Sequence, residues 1–160
     1  MKFIGICTLL FTFALVSREL VARRRRRALV YEDCYRFIQH VRLQVGCYLK
    51  PVSEVASGFE SSLLYDTGFL SCVKEGVSPR EALEASSLRR DLGEEGYRVL
   101  FYMFSALGGG YMDDEVKLID ECASSFLNLL ERERSEAPRG LRLIRTLCGA
   151  AALGIIIFAV

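Results

Sequence analysis

With 160 residues, the chain is long enough for one domain with a modest core and little beyond it. A formal net charge of +1 means that basic residues are offset by acidic ones, which argues against a generally basic surface for nucleic acid. One histidine and six cysteines with no Cys-x-x-Cys spacing leave little room for a histidine metal site, a zinc ribbon or a redox motif.

From Phe3 to Val16 the sequence carries no charge. Extending this run to Ala22 gives the roughly 20 residues that a membrane-spanning helix needs, with Arg18 and Glu19 near the interface. Arg23, Arg24, Arg25, Arg26 and Arg27 follow without interruption. The other end mirrors this arrangement: Arg139, Arg142 and Arg145 precede an uncharged run from Thr146 to Val160. Arginine resists translocation and collects on the cytoplasmic side. One orientation therefore satisfies both ends, with the termini outside and the middle in the cytosol. In this reading Arg23 to Arg27, Arg142 and Arg145 sit at the membrane interface, where each contributes ~1 kcal/mol against anionic headgroups. Two rivals fit less well. A signal peptide would be followed by five arginines that oppose export. A nucleic-acid grip lacks interleaved aromatics, since "ALVYEDCY" comes next. The organisation expected is an anchor over residues 1–22, a cytosolic helical domain over 23–145 and a second anchor over 146–160.

The middle of the chain carries helical periodicity and no convincing strand, which predicts an all-α fold. Val30, Cys34, Phe37, Ile38, Val41, Val45 and Tyr48 share one face of a helix that can continue the first anchor and that Pro51 should stop. "PVSEVASGF" predicts a short helix ended by Gly58, and "SSLLYDTGFLSCVKEG" a single helix closed by Gly76. Ser78, Pro79 and Glu81 form a helix-start signature. In "EEGYRVLFYMFSAL", Val99 to Phe104 are apolar all round, which predicts burial on every side. Gly108, Gly109 and Gly110 then break the chain, and Asp113 and Asp114 favour a new helix start. That helix carries Val116, Ile119, Ala123, Phe126, Leu127 and Leu130 on one face. Pro138 and Gly140 should kink or loosen the link to the C-terminal run.

Little of this points to catalysis. The glycine triplet resembles a phosphate loop, but no Lys-Ser/Thr pair follows it and Asp113, Asp114 and Glu115 would repel an anion. The acidic residues do not match an EF-hand. Cys122 lies near an apolar face and reads as a core thiol, His40 as a half-buried surface residue, and the cysteines as reduced. No cofactor and no metal are expected. A small membrane-anchored enzyme using Cys122 or the acidic cluster is the alternative.

The basic cluster after an apolar helix, "LKPVSEV", "KEGVSPREAL", "LGGGYMDDEVKLID" and the terminal "LRLIRTLCGAAALGIIIFAV" together resemble the stage III sporulation protein AB family of endospore-forming bacteria. The likeness runs nearly end to end. It departs at Gly109, Gly110 and Tyr111, where the family more often has polar residues. The resemblance implies a mother-cell membrane component of the channel complex joined to the forespore. It also implies a helical domain similar to secretion platform proteins, which dock a cytosolic hexameric ATPase alongside sister membrane subunits. The expected contact residues are Tyr111, Asp113, Asp114 and Glu115 at the glycine turn, with Arg80 and Glu81.

Overall fold

The computed structural model describes the backbone of residues 2–48, 52–107 and 111–159, and the side chains of 11–12, 15–46, 54–56, 58–107, 111–135 and 146. Every described element is an α-helix: α1 (Lys2–Tyr48), α2 (Val52–Ser57), α3 (Ser62–Asp66), α4 (Phe69–Lys74), α5 (Pro79–Ala85), α6 (Leu88–Ala106) and α7 (Met112–Ala159). No strand occurs among the described residues. The chain divides into two units, Arg27–Glu131 and the pair of end segments Met1–Arg26 with Arg132–Val160. Among the described residues no helix is long and apolar enough to cross a membrane. The side chains of most of the two expected anchors, 1–22 and 146–160, lie outside the described residues, as do Gly108, Gly109 and Gly110.

The Arg27–Glu131 unit is built on α1. Val30, Tyr31, Cys34, Phe37, Ile38, Val41 and Val45 are buried, following the three-and-four spacing that places them on one helix face. Against them lie Ile119, Cys122, Ala123, Phe126 and Leu130 of α7, and Leu88, Leu92, Leu100, Met103 and Phe104 of α6. Tyr31 meets Phe126 at 5.2 Å between ring centroids, while Gly46 approaches Val116 farther along α1. The two helices are therefore antiparallel. Tyr31 also reaches Leu92, and Phe37 reaches Phe104, so α6 runs in the direction of α1. Phe37 stands edge-on to Phe59 and Phe69, and Phe69 stacks on Phe104. This aromatic cluster joins α1 to the short helices, each buried ring adding on the order of 1.5–3 kcal/mol through burial alone.

The stretch expected to form one helix from Ser61 to Gly76 is two. Gly68 adopts φ 86, a left-handed conformation that L side chains rarely take, and it turns the chain between α3 and α4. Thr67 holds this corner. Its hydroxyl donates to the Leu64 carbonyl at 2.8 Å, and its own carbonyl accepts from the Ser87 N–H at 2.9 Å. The break therefore docks the α3–α4 corner onto the start of α6. Ser61 caps α3 by accepting from the Leu64 N–H, and its hydroxyl donates to Asp33 of α1 at 2.6 Å. At α5 Ser78 is the expected N-cap: the Glu81 N–H donates to Ser78 Oγ, whose hydroxyl donates to the Glu81 carboxylate.

Helix α6 begins earlier than its apolar pattern suggests and is interrupted at Gly93 (φ 73, ψ −177). Val99 to Phe104 are not buried on every side, since Tyr102 is 57% exposed. Pro138 and Gly140 fall within α7. At the Gly93 interruption the Leu92 carbonyl accepts from Tyr31 Oη at 2.5 Å and from Arg27 Nη2 at 3.3 Å. One turn on, a Cβ on Gly96 would stand 2.8 Å from Tyr31 Oη. Tyr31 is fully buried between Leu92 and Phe126 and has nowhere to retreat. Gly96→Ala is expected to destabilise the fold by about 1–3 kcal/mol through overpacking. In a Tyr31→Phe background the same change should cost less, because the nearest atom is gone. Denaturant unfolding of the four-member cycle reads this coupling, and additive single-site costs would contradict it.

Candidate functional site

The first turn of α7 gathers four of the predicted contact residues. Tyr111 is 85% exposed, and its carbonyl accepts from the Asp114 and Glu115 N–H groups at 3.0 Å each, which closes the helix start. Asp113, Asp114 and Glu115 occupy the first turn, where the helix dipole favours negative charge. Asp114 makes a long 3.9 Å pair with Lys117. Asp113 lines an open groove of about 480 Å³ with Arg42, Leu43 and Gly46 of α1 and Met112, Val116 and Lys117 of α7. Leu43 and Met112 are exposed apolar side chains on the two walls of this groove, and Met112 follows Tyr111 in sequence. Arg42 is held in place by a two-pronged ion pair with Asp120, its Nη2 donating to Oδ2 at 3.1 Å. Across the groove Gly46 faces Val116, whose Cγ2 would lie in ordinary contact, 3.6 Å from an added Cβ. Leu43, Gly46 and Met112 were not legible as site residues. In the sequence Leu43 lies off the buried face of α1, and nothing marks it as adjacent to a residue almost 70 positions later.

Arg80 and Glu81 belong to a different neighbourhood, at the start of α5 against α6. The Arg80 guanidinium lies over the Phe101 ring at 5.0 Å and pairs with Glu84 at 3.5 Å. Glu81 is engaged with the Ser78 N-cap through its N–H and its carboxylate. Both are occupied in holding α5, and the structure does not place them in the groove with Asp113. Among the predicted interface arginines, Arg23 to Arg26 are exposed, and Arg23 pairs with Glu19 one turn earlier at 3.1 Å. Arg27 differs. Its guanidinium is half-buried, bonded to the Leu92 carbonyl and set 5.8 Å from the Tyr31 ring. The side chains of Arg142 and Arg145 lie outside the described residues.

A second groove, of about 650 Å³, runs between one face of α6 (Glu95, Arg98, Val99, Tyr102) and one face of α7 that includes Glu121, Asn128 and Leu129. Sequence reading missed it because α6 looks apolar all round from Val99 to Phe104, so periodicity could not show which side stays open. Cys122 also borders this groove, but its side chain is buried. Burial, with a smaller contribution from the Glu121 charge, pushes its thiol from the ordinary 9.0 up to about 11. Cys34 is shifted in the same direction, chiefly by burial and secondly by Asp33. Both thiols are therefore protonated at neutral pH and poor nucleophiles. His40 is half-buried with its ring 5.4 Å from that of Phe59. No group of three or more His, Cys, Asp or Glu suited to a metal ion occurs among the described residues.

Because both folded-state thiol values are raised, the stability they contribute is complete below pH 9.0. Above that pH the unfolded thiols ionise first and the contribution is lost, for Cys122 as pH climbs to about 11. The half-exposed Cys72 provides an internal comparison. Timed alkylation of the native chain at pH 8, read by peptide mass mapping, should modify Cys72 at least about tenfold faster than Cys34 or Cys122. Equal rates would show that the core opens readily. Comparison of the chain with protein-family models, with curated proteins and with solved structures returns no match.

Proposed function

We propose that this chain is a non-catalytic membrane platform of the stage III sporulation protein AB kind. Its helical unit presents the start of α7 to a cytosolic secretion-type ATPase. The observation that carries the reading is the union of Met112 and Asp113 with Leu43 along one open groove, with the exposed Tyr111 next in sequence. An aromatic and two aliphatic side chains beside a carboxylate-rich helix start suit a protein partner that offers an apolar anchor ringed by basic residues. The buried, protonated state of Cys122 tells against the rival reading in which that thiol acts as a nucleophile. In this proposal the uncharged end segments anchor the chain in the mother-cell membrane beside sister channel subunits. Arg23 to Arg26, Arg142 and Arg145 lie at the cytoplasmic interface, and both termini lie outside.

Docking is testable with the full-length chain in detergent micelles and the purified partner ATPase. Leu43→Ala combined with Tyr111→Ala should weaken binding at least about tenfold. Arg80→Ala should leave binding unchanged, since Arg80 is engaged within α5 and with Phe101. No binding by the unaltered chain at micromolar concentration would reject the proposal.

Topology is tested separately. A membrane-impermeant thiol reagent applied to intact cells should leave the half-exposed Cys72 unmodified until the membrane is permeabilised. Labelling of Cys72 in intact cells would place the helical unit on the other side.

A further inference from the structure

Helix α6 carries three aromatic side chains on its outer surface, and the chain covers two of them itself. The Arg89 guanidinium lies over the Tyr97 ring at 5.3 Å, and Arg80 lies over Phe101 at 5.0 Å. Tyr97 and Phe101 also stack on each other at 6.0 Å. The third, Tyr102, faces the groove between α6 and α7 and is 57% exposed. Among the described residues no cation and no ring lies against it.

The charges beside Tyr102 are open in the same way. Arg98 is on the same face of α6, one turn before Tyr102, and Glu121 stands on the facing wall of α7. Both are exposed, and neither has an ion-pair partner among the described residues. Elsewhere on this surface, arginines are closed by carboxylates or rings of the same chain: Arg89 by Glu94 and Tyr97, and Arg80 by Glu84 and Phe101. The α6–α7 groove thus holds an unmatched cation, an unmatched anion and an uncovered ring around an apolar floor of Val99 and Leu129.

We infer that this groove is a self-association surface whose occupant is a second copy of the chain. The groove supplies both members of each interaction it leaves open, which is the requirement for a two-fold interface in which the same patch meets itself. With the α6 helices of two copies crossing antiparallel, Arg98 of each copy lies over Tyr102 of the other and beside its Glu121. Val99 and Leu129 of both copies close the apolar centre. A cation stacked on a ring and desolvated by its neighbours is a stronger contact than either exposed group makes alone.

Sedimentation velocity of the full-length chain in detergent micelles tests this. The unaltered chain should form dimers. Arg98→Glu or Glu121→Arg alone should weaken dimerisation at least about tenfold, and the double reversal should restore most of it. Tyr102→Ala should weaken it as well. All three positions of change are exposed, so thermal melts followed by circular dichroism should match the unaltered chain. A chain that stays monomeric up to about 100 µM overturns the inference. So does a dimer indifferent to the single reversals and to Tyr102→Ala, because another surface would then be responsible. The ATPase is absent throughout, so the outcome is independent of the docking proposal.

Discussion

The Arg27–Glu131 unit depends on a close approach of three helices at Tyr31. This ring is buried against Phe126 of α7, and its hydroxyl donates to the Leu92 carbonyl of α6. The contact needs a helix surface without a side chain, and Gly96 provides it: there is no room for even a methyl group below the phenol. It also needs a carbonyl that faces α1, and the interruption at Gly93 supplies it. A buried hydroxyl left without an acceptor would cost on the order of 1–3 kcal/mol, so the two glycines and the tyrosine act together. Arg27, the last arginine of the basic run, donates to the same carbonyl.

The short helices solve a second problem. One uninterrupted helix from Ser61 to Gly76 would leave little scope to cover both α1 and the start of α6. Folding the segment at Thr67 and Gly68 lets α3 cap onto Asp33 of α1, while α4 sends Phe69 into the cluster with Phe37 and Phe104. The Thr67 carbonyl, freed at the corner, accepts from Ser87 and so sets where α6 begins. Polar backbone groups at a buried corner need partners, and here the next element supplies them. The chain is locally inefficient at this corner but globally consistent.

The surface divides by how its charges are satisfied. Around α5, and on the α6 face it covers, guanidinium groups are closed by rings and carboxylates of the same chain. The start of α7 and the α6–α7 groove instead leave apolar and charged side chains open side by side. An exposed arginine paired with a neighbouring carboxylate contributes little to stability. Its consequence here is spatial: it removes Arg80 and Glu81 from the set available to a partner. The readings of the two open surfaces differ in occupant, but both rest on exposed side chains that the fold brings together.

The all-α class, the buried faces of α1 and α7 and the N-cap at Ser78 were determined by the sequence alone. Each depends on residues within one or two turns of one another, where periodicity and side-chain chemistry act directly. The corner at Gly68 was less legible, because the apolar pattern continues through it and only contacts with α1 and α6 favour the break. The run from Val99 to Phe104 has no polar side, so only the packing of α1 and α7 decided that Tyr102 would face out. The candidate site was half legible: Tyr111 and Asp113 stand out at a helix start, while Leu43 becomes a neighbour of Met112 and Asp113 only when α1 and α7 lie antiparallel. Helix spacing reports which residues share a face; which face meets which is decided by the fit of side-chain volumes, and here by the space left at Gly96.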